Sequence, residues 1–407
     1  MKARMLQTVG KNLHFDTRVR TSETSNRRMA EGISMAKTKT GRRQLQFFLC
    51  GDVMTGRGID QILPHAGDPV IHEPYVRDAR DYLKLAEIAN GPIPRPVDFG
   101  YIWGDALDVL GAAAPDARII NLETSITTSP DYWPRKGINY RMHPGNTPCL
   151  TAAHIDCCVL ANNHVMDWGY SGLEETLETL RHAGLKLAGA GRNREEAAAP
   201  AVLDLPGGQR LLVFGLGTGS SGIPDDWAAG EERAGVNRLD ALSEGNVQRL
   251  AEKKREYAAP GDFCIASIHW GGNWGYDISV EQQTFARALI EKAGFDLIHG
   301  HSSHHIKGFE IHQGRLILYG CGDFLNDYEG IGGHDAYRGD LSLMYFPFLD
   351  PGTGSLERLR MVPMRTRRFR LERAGPEETE WLASVLDREM GRFGAGVILR
   401  EGELWTD

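Results

Sequence analysis

QFFLCGDVMTGR, residues Gln46–Arg57, sets a short run dominated by Phe and Leu against a Gly-Asp step and then small and polar residues. A run this short, stopped by glycine, is too brief for a helix and reads as a buried strand whose end delivers Asp52. The same order recurs outward along the chain. Arg118–Leu122 is followed by Glu123, Cys157–Ala161 by Asn162, Asn163 and His164, Phe263–Ile268 by His269, and Phe295–Ile298 by His299, His301 and His304. Residues just beyond the carboxyl ends of strands in an open α/β sheet line one crevice, so five strands are expected to bring these side chains to one place.

Helical stretches lie between the runs. Leu173, Leu177 and Leu180 share one face of a helix whose early Glu174, Glu175 and Glu178 and late Arg181 and His182 suit the helix dipole before Gly184 stops it. Residues 238–257, 280–293 and 377–391 are expected to be helices, the last turning Trp381, Leu382, Val385 and Leu386 inward. Hairpins are expected where Asp204–Leu205 meets Arg210–Phe214 across Pro206, Gly207 and Gly208, and where Gly308–His312 meets Arg315–Tyr319 across Gln313 and Gly314. Leu341–Phe348 and Leu356–Pro363 add strands, and Val397–Leu404 an edge hairpin. The fold class is therefore α/β, with two facing mixed sheets and outer helices. The expected organisation is a basic extension over 1–44, a domain over 45–350, and C-terminal strands and a helix over 351–407 packing on that domain.

Composition bounds the function. The 407 residues are 41% hydrophobic, 8% aromatic and 25% charged, the range of a globular protein. The longest apolar runs, Leu211–Leu216 and Leu341–Phe348, fall far short of the roughly 18 residues of a membrane helix. The polar N-terminal stretch through Lys2, Arg4, Lys11, Arg18 and Arg20 lacks the apolar centre of a secretory signal, so a cytoplasmic location without a membrane span is expected. Six cysteines without a C-x-x-C pair suit reduced, buried thiols. Net charge is −8, but residues 1–44 carry eleven Lys or Arg against three acids, which leaves −16 on the body. An acidic body argues against nucleic acid as a partner. The basic head has too few apolar residues to fold alone and is expected to be a disordered extension, or to precede a true start at Met29 or Met35.

Carboxylate, amide and imidazole donors with no thiolate among them suit Mn, Fe or Zn in a working site rather than a structural zinc. A carboxylate between two ions with imidazoles around them serves two-metal phosphoryl chemistry. GDVMTGR (Gly51–Arg57), INLET (Ile120–Thr124), LANNHVMDWG (Leu160–Gly169), IHWGGNW (Ile268–Trp274) and HGHSSHHIKGFEIHQGRLILYGCGDFLND (His299–Asp327) resemble the successive motifs of the CapA family. These are poly-γ-glutamate capsule synthesis proteins of the calcineurin-like metallophosphoesterase superfamily. The resemblance runs from about residue 45 to 350 and implies a four-layer α/β/β/α sandwich. It implies Asp52, Glu123, Asn163, His269, His301 and His304 as metal ligands, and His164 as the group that polarises or protonates near the leaving oxygen. Arg141, within YRMHP, matches a family arginine that holds an anionic substrate, the alternative being a surface salt bridge. Trp270 and Trp274 beside His269 either wall the pocket and stack on substrate or pack. Asp323, where the family usually has Asn, and Asn326 fall among residues that support ligands.

Met54 stands where ordinary metallophosphoesterases carry a ligating histidine. The usual Gly-His-His-Pro-His reads Gly-His-Ser-Ser-His, which leaves His301, His304 and His305 open as alternatives. Two unequal metal sites follow: Glu123, Asn163, His269 and one loop histidine for one, and Asp52, the shared Glu123 and the second loop histidine for the other. The expected function is a metal-dependent hydrolase or transferase acting on a phosphorylated small molecule or a γ-glutamyl polymer. The alternative is a non-catalytic subunit that binds anionic product in a polymer-synthesis complex. Removal of residues 1–34 is predicted to leave the melting temperature within a few degrees of the full chain, checked by parallel thermal melts; a larger fall contradicts the reading of the basic head.

Overall fold

Along the first strand, Leu45–Val53, alternate side chains enter different cores. The computed structural model describes residues 43–406, and the expected extension over 1–44 lies outside them but for its last two residues. The first strand is central to a ten-stranded mixed sheet. On one side it pairs in parallel with Ala117–Leu122, followed by Cys157–Val159 and Lys186–Ala188. On the other it pairs antiparallel with Leu341–Leu349, and beyond that come Leu356–Thr366 and the edge hairpin Val397–Arg400 with Glu403–Thr406. A second, seven-stranded sheet is ordered Arg238–Leu239, Arg210–Thr218, Phe263–His269, Leu297–His301, Arg315–Leu318 and Phe309–His312. Its expected hairpins are present, Ala201–Asp204 on Arg210–Thr218 and Phe309–His312 on Arg315–Leu318.

Period-two alternation gives each sheet two apolar faces. Phe47, Leu49, Ile119 and Val159 of the first sheet pack with Leu211, Val213, Phe263 and Leu297 of the second. Phe48, Cys50, Ile120 and Leu122 pack with Trp103, Val109 and the leucines of helix Gly169–His182. Leu212, Phe214, Ala266 and Ile298 pack with Val247, Leu250, Phe285 and Leu289 of helices Glu244–Tyr257 and Val280–Glu291. The fold is thus mixed α/β with two large sheets. All six cysteines are free and buried. No helix of the described residues is long and apolar enough to cross a membrane.

The helix expected from 238 starts at Glu244. Arg238–Leu239 instead pairs with Gly217–Thr218, and the Ser243 side chain accepts from the Asn246 N–H to cap the helix. Ser279 and Gln282 form a capping box at the next helix. In helix Pro376–Met390, Leu382, Val385 and Leu386 are buried and Trp381 half-buried. The strand expected at 295–298 runs Leu297–His301, which carries it through His299 and His301 themselves.

After Arg315–Leu318 the chain leaves the second sheet, and Asp323–Leu325 joins the first strand in parallel. The Asp52 N–H donates to the Gly322 carbonyl at 2.8 Å and the Met54 N–H to the Leu325 carbonyl at 2.9 Å. This crossing requires glycine: a Cβ at Gly51 would lie 1.7 Å from the Gly322 oxygen, and Gly322 has φ +77°. Gly51→Ala is predicted to destabilise the fold by about 3 kcal/mol or more, or to prevent folding, read by denaturant unfolding. A loss below about 1 kcal/mol would show that the crossing relaxes freely.

Candidate metal centre

Parallel register sets Asp52 beside Asp323, and the neighbouring strand pairs Leu122 with Val53, so Glu123 stands one step further on. The carboxylate oxygens of Asp52, Glu123 and Asp323 lie within 4.8 Å of one another, and all three residues are buried. Asp52 accepts from the Asn121 amide at 2.7 Å and from the Ser302 N–H at 3.0 Å. Ser302 holds φ +101°, a conformation a serine keeps only under constraint from its surroundings. Asp323 accepts from Asn326 at 3.2 Å and faces His304 Nδ1 at 3.0 Å. Glu123, 3% exposed, accepts no hydrogen bond from the described residues. The imidazoles nearest to it present Nε2 at 3.7 Å (His269) and 3.8 Å (His164).

His269 and His301 are register partners in the second sheet. A relay fixes His301: with His299 Nε2 donating to the Cys50 carbonyl at 2.7 Å, its Nδ1 accepts from Ser267 Oγ at 2.9 Å. Ser267 Oγ in turn accepts from His301 Nε2 at 3.0 Å. The His301 Nδ1 lone pair then faces the cluster, 3.7 Å from Asp52 and 2.8 Å from His269 Nδ1. Two ring nitrogens this close require a proton or a cation between them. Asn163 Oδ1 meets His269 Nε2 at 3.0 Å. Asp52, His269 and His301 form one possible ligand group and Asp52, Glu123 and Asp323 another. Asp52, rather than Glu123 as expected, is common to both groups.

His164 Nδ1 lies 2.6 Å from Asp167 Oδ2, which also accepts the Tyr140 N–H at 2.7 Å, while Lys136 pairs with Asp167 Oδ1 at 2.7 Å. The Tyr140 ring stacks on the imidazole at 3.8 Å. Asn162 shapes this turn, its amide donating to the Leu122 carbonyl and its oxygen accepting from the His164 and Val165 N–H groups. Burial, then Lys136 and Arg57, hold His164 well below the usual histidine range.

Several expected residues sit elsewhere. His304 is taken up by Asp323 and by the Asn273 amide at 2.9 Å, and His305 meets the Ile306 carbonyl at 2.9 Å beside the Trp274 and Tyr337 rings. Arg141 does not join the cluster: its guanidinium donates to the carbonyls of Ser129, Asp68 and Val70 and lies 3.6 Å over Trp168, so it ties loops together. Trp270 is buried, its indole N–H donating to the Tyr319 carbonyl at 2.9 Å, which is a packing role. Trp274 is half-buried, 5.4 Å from the His304 ring, and stacks on His334 at 4.0 Å. Asp167, three residues after His164, was visible in the sequence as a neighbour on one turn. Lys136 carried no signal.

The family model described as bacterial capsule synthesis protein PGA_cap matches residues 46–328. The chain belongs to this family. A probable polyglutamine synthesis accessory protein of Mycobacterium tuberculosis (strain ATCC 25618 / H37Rv) is 46% identical over 362 residues, covering 88% of this chain and 94% of the relative. The capsule biosynthesis protein CapA of Bacillus anthracis is 22% identical over 380 residues, covering 92% and 78%. The PGA biosynthesis protein CapA of Bacillus subtilis (strain 168) is 27% identical over 308 residues, covering 75% and 68%. PGA_cap proteins are metallophosphoesterase-like, the superfamily the motifs resemble.

The donors fit divalent cations: Glu123 is a buried carboxylate that accepts no hydrogen bond from the described residues, and the opposed ring nitrogens of His269 and His301 have room for a cation in place of a shared proton. Burial and the Asp323 charge push the Asp52 carboxyl up to about 8, against the pull of Asn121. Burial, with Asp52 and Asp323, puts Glu123 well above the carboxylate range. A cation must displace these protons, so affinity is predicted to rise with pH to about 8 and flatten above, with protons released when Mn is added near pH 7. Calorimetry in buffers of different ionisation enthalpy measures the release. Affinity constant from about pH 6 to 8 would contradict it.

Proposed function

We propose that this PGA_cap protein is a metal-dependent hydrolase of phosphoester or γ-glutamyl bonds that serves the synthesis of a γ-glutamyl or capsule polymer. The observation that carries this reading is Glu123, a buried carboxylate without a donor, between Asp52 and Asp323 on one side and the His164 and His269 rings on the other. The names of the relatives support the biological setting. The three apolar cores support a four-layer order of helices, sheet, sheet and helices, with the tail strands part of the same domain.

Asp52, His269 and His301 would hold one ion, with Asn163 fixing His269 from its other ring nitrogen, and Asp52 with Glu123 would hold further charge. Bound divalent ions of this kind polarise a phosphoryl or carbonyl oxygen and make water acidic. The chain's own work is positional and protonic. With Nδ1–H held on Asp167, His164 presents Nε2 toward Glu123, and its depressed basicity keeps that nitrogen a lone pair at neutral pH. It therefore accepts a proton first and returns it to a leaving oxygen afterwards. Tyr140 stacks on the ring and fixes its plane, and Lys136 pairs with Asp167, drawing down a carboxyl that burial pushes up to about 7. Trp274 stands beside His304 as an aromatic wall for the bound substrate.

A second reading, a non-catalytic assembly subunit, is favoured by the accessory role in the name of the Mycobacterium tuberculosis relative. His164→Ala separates the two. It is predicted to lower turnover by about 10² to 10⁴ while bound metal stays unchanged, measured on phosphoester and γ-glutamyl amide substrates with metal analysis alongside. Loss of metal with activity would make His164 a ligand. No turnover by the fully metal-loaded wild type on either substrate class would favour the assembly reading.

A further inference from the structure

We infer that Asp323 is itself a ligand, and that with Asp52 and Glu123 it completes a cation position made only of carboxylates, distinct in ion preference from the imidazole position beside it. This rests on the metal-dependent reading above and deepens it. The histidine that the superfamily places at residue 54 is Met here, and the Met54 sulfur accepts the Gly56 N–H at 3.2 Å within its own turn. His304, expected as a ligand in its own right, is bonded to Asp323 and Asn273 rather than grouped with Asp52.

Asp323 fills that place. It is the register neighbour of Asp52, brought there by the crossing at Gly322, and its carboxylate is buried within 4.8 Å of those of Asp52 and Glu123. A cluster of acids alone would say little, because exposed acids gather without an ion. This one is buried, and Glu123 points into it with no donor. His304 and Asn326 orient Asp323 from outside, as neighbours of a ligating carboxylate do.

Ligand chemistry sets the preference. Three carboxylates suit hard ions such as Mn or Mg, whereas Asp52 with two imidazoles suits Zn or Fe. The protein therefore sorts two different ions into adjacent positions. The test is equilibrium dialysis with metal analysis on the full chain, offered Zn alone, Mn alone and both together, for wild type and Asp323→Asn. Asparagine keeps the shape and restores the amide usual in the family.

Wild type offered Zn with a large excess of Mn is expected to bind one Zn and one Mn. Asp323→Asn is expected to keep the Zn equivalent and bind Mn about tenfold or more weakly. Two equivalents retained by Asp323→Asn at unchanged Mn affinity would overturn the assignment of Asp323 while leaving the metal reading intact. Wild type taking two Zn even at a large excess of Mn would also overturn it, and this result decides the matter even if the variant does not fold. Wild type binding no metal under any condition would instead overturn the metal reading and this proposal together.

Discussion

Three carboxylates held within 4.8 Å of one another away from water are the constraint around which this molecule is arranged. At that separation and an effective dielectric of about 20, each like-charged pair costs about 3 kcal/mol or more, and desolvation adds to it. Asn121, the Ser302 N–H and Asn326 offset part of that cost for Asp52 and Asp323, whereas Glu123 accepts no hydrogen bond from the described residues and is relieved only in part by the Lys136 charge. The cluster survives because its members sit on strand ends whose other side chains are locked into apolar cores on both faces of the sheet. Asp52 and Glu123 are raised in pKa and the histidines His269 and His301 lowered, in each case chiefly through burial. A cation that replaces the protons on these acids and accepts the ring lone pairs would relieve both shifts at once.

What the sequence made legible follows from local physics. Asp52, Glu123, Asn163, His269 and His301 converge because each lies at or just beyond the end of a short buried strand, and strand ends are marked by composition alone. What it hid depends on the route of the chain between sheets. Asp323 reads as a supporting residue until the crossing after Leu318 is seen to set it beside Asp52. Arg141 reads as an anion holder because an arginine advertises charge, yet its partners are loop carbonyls at 68, 70 and 129 that no pattern announces. Trp270 belongs to the core for a similar reason, its partner being the Tyr319 carbonyl on a separate segment. Lys136 reaches Asp167 from an irregular loop, where neither periodicity nor capping gives a signal.

The positions of the acids are set by contacts that do not involve their own charges. On one side of the crossing, backbone bonds tie Asp52 and Met54 to Gly322 and Leu325 at glycine distance. On the other, Arg57, five residues after Asp52 and held at φ +46°, sends its guanidinium to Asp327, four residues after Asp323, and to Glu73 at 3.1 Å. That guanidinium lies 3.7 Å over the Tyr82 ring and 4.6 Å over Tyr140, the same ring that stacks on His164. A buried ion pair of this kind adds little net stability, because desolvation consumes most of its attraction, but leaving either partner alone is costly. Its effect is therefore on geometry. The segments bearing Asp52 and Asp323 cannot drift apart without exposing an unpaired Arg57, and Tyr140 cannot leave His164 without uncovering the same cation. Through Arg57 the carboxylates and His164 are kept in one spatial relation, whether or not any of them is charged.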